Sequence, residues 1–193
     1  MIDPSKLYFF MLAALALLLV PGPAVLYITA RSASQGRMAG FVSVLAIETA
    51  NFLQAVAAAL GLSAILLSSA LAFDVVKYLG AAYLIYLGIR KLLTQDNQSE
   101  GGQLKKESLQ RIYWQGFVVN ILNPKTALFF FAFLPQFVDP GRGNVTMQTL
   151  LLGVIFVAMA IVTDSLYALA ASSLANRLGG NKHFQKGQQY FAG

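Results

Sequence analysis

Long apolar runs are the feature of this sequence that most limits its fold. Five stretches are each long and apolar enough to cross the hydrocarbon core of a bilayer as a helix, which takes about 20 residues. They are residues 7–30, 39–69, 75–93, 113–138 and 147–174. Because lipid cannot hydrogen-bond to the backbone, such runs must form helices to span it. We therefore predict an all-α integral membrane protein whose spans take up most of the chain.

The composition leaves little room for a soluble catalytic domain. Hydrophobic residues make up 57% and charged residues 11% of the chain, against about 45–50% and about 25% in ordinary soluble domains. The absence of cysteine excludes disulfides, thiol relays and cysteine-bound metals. The single histidine, His183, lies in a polar segment near the C-terminus, so a Ser-His pair within the bilayer is not expected. We predict no enzyme activity, no metal and no cofactor.

The net charge of +6 reflects membrane topology rather than nucleic-acid binding, because the basic residues lie between the apolar runs. Cytoplasmic loops carry an excess of Lys and Arg. Of the 14 such residues, ten fall on one alternate side: Arg31, Arg37, Arg90, Lys91, Lys105, Lys106, Arg111, Arg177, Lys182 and Lys186. Lys6, Lys77 and Arg142 fall on the other side, and Lys125 lies inside a span. The N-terminus is therefore predicted to lie outside the cell.

A polar segment divides the chain into two parts. Residues 94–112 are poor in apolar side chains and are predicted to form a flexible cytoplasmic linker. Residues 1–93 then form a first repeat of three helices, and residues 113–193 form a second. Because three is an odd number of crossings, the second repeat would enter the membrane in the opposite direction to the first.

Both repeats begin with an interrupted span. The first is broken at Pro21, Gly22 and Pro23, and the second at Asn123 and Pro124. Glycine or asparagine followed by proline is typical of a helix cap and first turn, so each break is predicted to start a half-helix at membrane depth. Inverted pairs of such breaks indicate a transporter site near the bilayer midplane, where free N–H groups can bind a carboxylate. The alternative is a pair of simple proline kinks, which membrane helices tolerate.

Three charged residues lie within the predicted spans. Glu48 and Asp164 each place a carboxyl group in a long apolar run, and Lys125 follows the second break directly. Charges at such depth are costly and normally face a cavity with partners. Asn51 and Tyr167 share a helix face with Glu48 and Asp164, respectively, by the spacing of three. Lys125 can neutralise one acid and leave the other for a proton or a substrate ammonium; the alternative is a structural ion pair beside a neutral buried acid.

The C-terminal residues 186–193 resemble the start of span three, where Lys77 and Tyr78 have counterparts in Lys186 and Tyr190. The chain is accordingly predicted to hold five full transmembrane helices and the start of a sixth, most of which would be missing. A five-span protein with a cytoplasmic C-terminus is the alternative.

These motifs together resemble the lysine-exporter superfamily, in particular its homoserine, threonine and leucine efflux branch. The resemblance covers essentially the whole chain and rests on Pro21-Gly22-Pro23, Gly36, Gly40, Tyr78-Leu79-Gly80, Tyr83-Leu84-Ile85-Tyr86-Leu87-Gly88, Gly116, Asn120, Asn123-Pro124-Lys125, Phe130 and Pro135-Gln136-Phe137. The chain departs from the pattern at Ala46 and Ala50, where glycine is frequent, and at Asn51, where an acid is common.

The resemblance implies a secondary transporter that exports amino acids or close derivatives across the bacterial inner membrane, driven by protons, and it suggests a homodimer. From the breaks and the charged residues themselves, we expect the substrate to bind at Pro21, Gly22, Pro23, Asn51, Asn123, Pro124, Lys125 and Tyr167, and the coupling proton to bind at Glu48 and Asp164. The alternative function is a membrane channel or a structural membrane protein without coupled transport.

Overall fold

The computed structural model describes residues 2–68, 75 and 106–179. Helices account for 89% of it, and none of the residues described lies in a strand, so the all-helical prediction is confirmed. Predicted span three and the predicted start of a sixth span lie outside the described residues.

Two broken helices and two long helices make up the described part of the chain. The first broken helix consists of α1 (Pro4–Leu19) and α2 (Pro23–Gln35), which meet at a bend of 52°. The second consists of α4 (Leu109–Ile121) and α5 (Pro124–Leu128), the latter extended by a π turn (Phe129–Phe133) and a 3₁₀ turn (Leu134–Phe137), with a bend of 48°. The long helices are α3 (Arg37–Ser68) and α6 (Val145–Gly179).

The helix boundaries follow local sequence signals. Asp3, Ser108 and Asn123 each cap the helix that follows by accepting a backbone N–H, as their side chains favour. Proline stands at the first position of α1, α2 and α5, where its missing N–H costs nothing. Gly36 separates α2 from α3 with φ of 83°, a conformation that glycine adopts readily. Helix α4 starts at Leu109, inside the predicted linker.

Length and composition identify two helices that can cross a membrane, Arg37–Gly61 within α3 and Val145–Arg177 within α6. Each bent pair adds one more if it crosses as a unit. The described residues therefore hold two to four candidate spans, at the positions where the sequence predicts spans one, two, four and five.

Helices α3 and α6 form the most extensive contact of the bundle and run antiparallel. Small residues bring them close together at two points. A Cβ added at Gly40 would lie 3.0 Å from Ala168 Cβ, and one added at Gly153 would lie 2.6 Å from Ala55 Cβ. Gly40 and Gly153 lie 113 residues apart in the sequence, and so do Ala55 and Ala168. Each glycine therefore contacts the counterpart of the alanine on its own helix.

Polar contacts join the two broken helices at both ends. At one end Arg142 Nη1 lies 2.9 Å from Asp3 Oδ2, and Lys6 Nζ lies 3.4 Å from Asp139 Oδ2. At the other end the Gln35 side chain exchanges two hydrogen bonds of 2.9 and 3.0 Å with the backbone of Glu107.

The Asp3 end of this arrangement depends on pH. Hydrogen bonds from the Ser5 hydroxyl and backbone N–H hold the pKa of Asp3 below its ordinary value, and the charge of Arg142 acts in the same direction. A lowered pKa in the folded state stabilises the fold above the unfolded pKa, and this contribution is lost as the pH falls through the folded pKa. The contact therefore weakens only in strong acid.

The contact between Gly153 and Ala55 makes a direct prediction about stability. Gly153→Ala forces two methyl groups to 2.6 Å, and overpacking of this kind costs about 1–3 kcal/mol. We expect a lower midpoint of thermal unfolding for the purified protein in detergent. Adding Ala55→Gly removes the opposing methyl group, so the double variant should be more stable than Gly153→Ala alone.

Gly61→Ala is the matched control, because no atom of the described residues lies within 4 Å of a Cβ added there. It should leave the midpoint unchanged or raise it slightly, since alanine favours helix over glycine. Equal midpoints for Gly153→Ala and Gly61→Ala would contradict the close packing of α3 on α6.

Candidate functional site

Side chains from the second half of the chain cap the end of α1. The Lys125 ammonium donates to the carbonyl of Leu17 at 2.6 Å and also to that of Val20, and the Tyr167 hydroxyl donates to the carbonyl of Leu19 at 3.0 Å. The last carbonyls of a helix have no partners within the helix. Lys125 and Tyr167 supply those partners and add a positive charge at the negative end of the helix dipole.

A side chain from the first half caps the end of α4 in the same way. Gln54 of α3 donates from Nε2 to the carbonyls of Asn120 and Ile121, each at 3.1 Å. Gln54 is buried. Each broken helix is thus completed by a side chain of the opposite half.

The starts of the two half-helices differ. Helix α2 begins after Gly22 without a side-chain cap, so its first backbone N–H groups are not taken up by a capping side chain. Helix α5 begins after Asn123, whose Oδ1 accepts the N–H of Lys125 at 3.1 Å. An anion would find more free donors at the first break than at the second.

Lys125 brings the two breaks together. A Cβ added at Gly22 would lie 3.2 Å from Lys125 Cδ and 3.7 Å from its Nζ. Glycine is therefore the residue that gives the Lys125 side chain its room to pass the first break and reach the end of α1.

A cavity of about 30 Å³ lies between the breaks. All four helical elements of the two broken helices contribute to its wall, together with α3 and α6; the polar residues lining it are Asn51, Asn120, Asn123, Lys125, Thr126 and Asp164. This volume suits about two water molecules and is too small for an amino acid. Binding of a larger solute requires the helices to separate.

Two carboxyl groups meet at this cavity. Glu48 and Asp164 are 4% and 3% exposed, and the two groups are close enough to interact electrostatically. Glu48 Oε2 accepts a hydrogen bond from Asn51 Nδ2 at 3.1 Å. Glu48 Oε1 is buried and has no hydrogen-bond partner among the described residues. Lys125 acts electrostatically on Asp164. Adjacent carboxylates in a poorly hydrated site favour sharing a proton over being charged together.

A row of amides connects the second break to the acids. Asn123 Nδ2 donates to Asn120 Oδ1 at 3.3 Å, Asn120 Nδ2 donates to Asn51 Oδ1 at 2.7 Å, and Asn51 in turn donates to Glu48. Asn120 is completely buried. Low-dielectric surroundings strengthen such a network when every member is satisfied.

The structure brings together the residues that the sequence predicts. Gly22, Asn51, Asn123, Lys125 and Asp164 all line the cavity. Glu48 adjoins it through Asn51 and Asp164, and Tyr167 contacts the end of α1. The three prolines of the breaks, Pro21, Pro23 and Pro124, are exposed at the protein surface and shape the breaks from outside. Lys125 binds backbone carbonyls and acts electrostatically on Asp164. The sequence alone did not decide which of the two acids Lys125 would approach.

Sequence reasoning assigned no role to Asn120, Gln54 or Thr126. Each is buried, and Thr126 donates to Asn120 Oδ1 and to the Asn123 carbonyl. A signal was available: Gln54 lies six residues after Glu48 in an apolar run, and Asn120 lies three residues before Asn123, in the last turn before the second break.

Comparison with known proteins identifies the family. The family model described as LysE type translocator matches residues 15–193. The chain belongs to this family. Its members are transporters rather than enzymes. No solved structure matches the chain.

Similar proteins include three from different bacteria. The uncharacterized membrane protein YrhP of Bacillus subtilis is 31% identical over 98% of this chain and 93% of its own length. An uncharacterized membrane protein of Vibrio cholerae is 33% identical over 88% of this chain and 80% of its own. The homoserine/homoserine lactone efflux protein of Salmonella typhimurium is 29% identical over 91% of this chain and 85% of its own. The translocator is thus similar to membrane proteins along nearly its whole length.

Removing the Lys125 ammonium should destabilise this translocator. Lys125→Met leaves the carbonyls of Leu17 and Val20 without their charged donor, which costs about 2 kcal/mol. We expect a clearly lower midpoint of thermal unfolding in detergent.

Lys6→Met is the matched control, because Lys6 is 40% exposed in a 3.4 Å ion pair with Asp139 and such pairs contribute about 0–1 kcal/mol. Equal, small changes for both variants would show that Lys125 does not hold the end of α1.

Proposed function

We propose that this protein exports homoserine or a similar small amino acid across the bacterial inner membrane in exchange for protons. The observation that carries the proposal is the meeting of two helix breaks at one cavity that Asp164 lines and the buried Glu48 adjoins. Membership of the translocator family supports transport, and the homoserine/homoserine lactone efflux relatives support the class of substrate.

The site has complementary groups for both ends of an amino acid. The free N–H groups at Gly22-Pro23, with Lys125 beside them, suit a carboxylate, and the second break at Asn123-Pro124 completes that side of the pocket. Asn51 and Tyr167 lie on the helices that flank it. Glu48 and Asp164 suit an ammonium or a proton, so a substrate amine and the coupling proton compete for the same pair.

Competition at one carboxyl pair is a direct way to couple two opposed fluxes. If the pair holds either a proton or the substrate ammonium while crossing, each proton that enters is exchanged for a substrate that leaves. A membrane potential of about 100 mV supplies roughly 2.3 kcal/mol per charge, enough for about a 40-fold gradient of a neutral substrate at one proton per cycle.

Two inverted repeats give such a site a route to both sides of the membrane. The contacts of Gly40 with Ala168 and of Gly153 with Ala55 are related by exchange of the halves. Exchanged contacts of this kind are expected from a pseudo-two-fold axis. The antiparallel course of α3 and α6 agrees with their being spans two and five. The excess of bases on one side places the N-terminus outside in this proposal.

The test is homoserine transport by the full chain reconstituted in liposomes. We expect saturable counterflow of labelled homoserine and uphill movement driven by an imposed proton gradient, abolished by a protonophore. Glu48→Gln and Asp164→Asn should each reduce proton-driven transport by about tenfold or more, equal to about 1.4 kcal/mol.

Glu107→Gln is the control acid, since Glu107 forms an i, i+4 pair with the exposed Arg111 side chain and does not line the cavity. It should transport normally. Full proton-driven transport in both carboxyl variants would remove the acids from the mechanism. Non-saturable flux that ignores the proton gradient would favour a channel, and absence of flux for homoserine, its lactone and a panel of amino acids would favour a structural protein.

A further inference from the structure

We propose that Asn120 is a positioning residue that couples the second helix break to the carboxyl pair through a row of amides with a fixed direction. The inference rests on the proposed function and deepens it, because it identifies a residue that sets proton binding at Glu48 and Asp164 without contacting either acid. Asn120 touches neither carboxyl group in the contacts described, so its influence must pass through Asn51.

Backbone groups fix the direction of the row at two points. The N–H of Lys125 can only donate, so Asn123 must present Oδ1 to it and Nδ2 to Asn120. The carbonyl of Ile47 can only accept, so Asn120 must present Nδ2 to it, at 3.0 Å. The same Nδ2 reaches Asn51 Oδ1 at 2.7 Å, and Asn51 is left to present its Nδ2 to Glu48 Oε2.

A row of this kind stabilises an ionised Glu48. Each amide polarises the next, so the N–H of Asn51 becomes a stronger donor because Asn120 donates to its carbonyl oxygen. A hydrogen bond donated to a carboxylate favours its ionised form. Without Asn120, Asn51 either donates more weakly or turns its oxygen toward Glu48, and both changes favour the protonated pair.

The charged groups facing the carboxyl pair come from three elements. They are Glu48 on α3, Asp164 on α6 and Lys125 on α5. From the cavity wall, α1 contributes Leu17 and Leu18, α2 contributes Ala24 and Val25, and α4 contributes Asn120. All of these are uncharged, so a change made at Asn120 alters the amide row without altering a titrating neighbour.

The experiment is an infrared titration of the carboxyl carbonyl band in full-length protein in liposomes, which needs no substrate. Glu48→Gln and Asp164→Asn identify the band of the pair. Asn120→Leu, which keeps the side-chain size and loses both amide groups, should move the titration midpoint of this band to higher pH by about one unit, the effect of one neutral hydrogen bond.

Gln54→Leu is the matched control. Gln54 is a buried amide that also contacts Asn120, but through the backbone carbonyl, and lies outside the row. It should lower thermal stability and leave the midpoint unchanged. A midpoint in Asn120→Leu equal to that of the unmodified protein, or an equal shift in Gln54→Leu, would overturn the proposal.

Transport separates this inference from the function on which it rests. Proton-driven homoserine counterflow in the unmodified protein, together with an unshifted Asn120→Leu titration, would refute the amide row alone. No proton-driven flux of any amino acid, together with the shifted titration, would refute the exporter and leave Asn120 as a positioning residue of the acid pair.

Discussion

The carbonyl groups at the end of α1 set the condition on which the rest of the site depends. A helix that stops inside a membrane leaves its last carbonyls without partners, and lipid offers none. Lys125 and Tyr167 supply donors to Leu17, Val20 and Leu19. For Lys125 to do so it must pass within reach of Gly22, and this crossing brings the two breaks to one place. The site is thus a consequence of completing the broken helix.

The same condition at the end of α4 is met by a neutral group. Gln54 donates to the carbonyls of Asn120 and Ile121, where α1 has a lysine and a tyrosine. The two ends therefore differ in charge although they are alike in form. The Lys125 ammonium lies beside the first break and makes that break the more favourable place for an anion. At the second break, Asn123 belongs to the row of amides instead. An asymmetric solute such as an amino acid suits an asymmetric pair of breaks.

The sequence predicted which residues form this site better than it predicted the atoms to which they bind. Proline after glycine or asparagine is typical of a helix cap and first turn, so both breaks were predictable from local rules. Charges in apolar runs identified Glu48, Asp164 and Lys125. The partners of Lys125 were not predictable, because backbone carbonyls 105 and 108 residues away leave no trace in side-chain patterns. Asn120 was missed as a site residue because an asparagine near a helix end also has a purely local interpretation as a cap.

The distribution of contact strengths favours rocking about the middle of the bundle in the proposed transport cycle. Small residues hold α3 and α6 in close contact at Gly40 and Gly153, and separating packed helices there would forfeit many dispersion contacts at once. At one end, the contacts that join the broken helices are surface ion pairs such as that of Arg142 with Asp3, whose Arg142 side chain is 51% exposed. Pairs of this kind contribute about 0–1 kcal/mol each, so one end can open at small cost. A cavity that holds about two waters must widen for an amino acid to enter, and movement of the broken helices against a fixed α3–α6 contact provides that space.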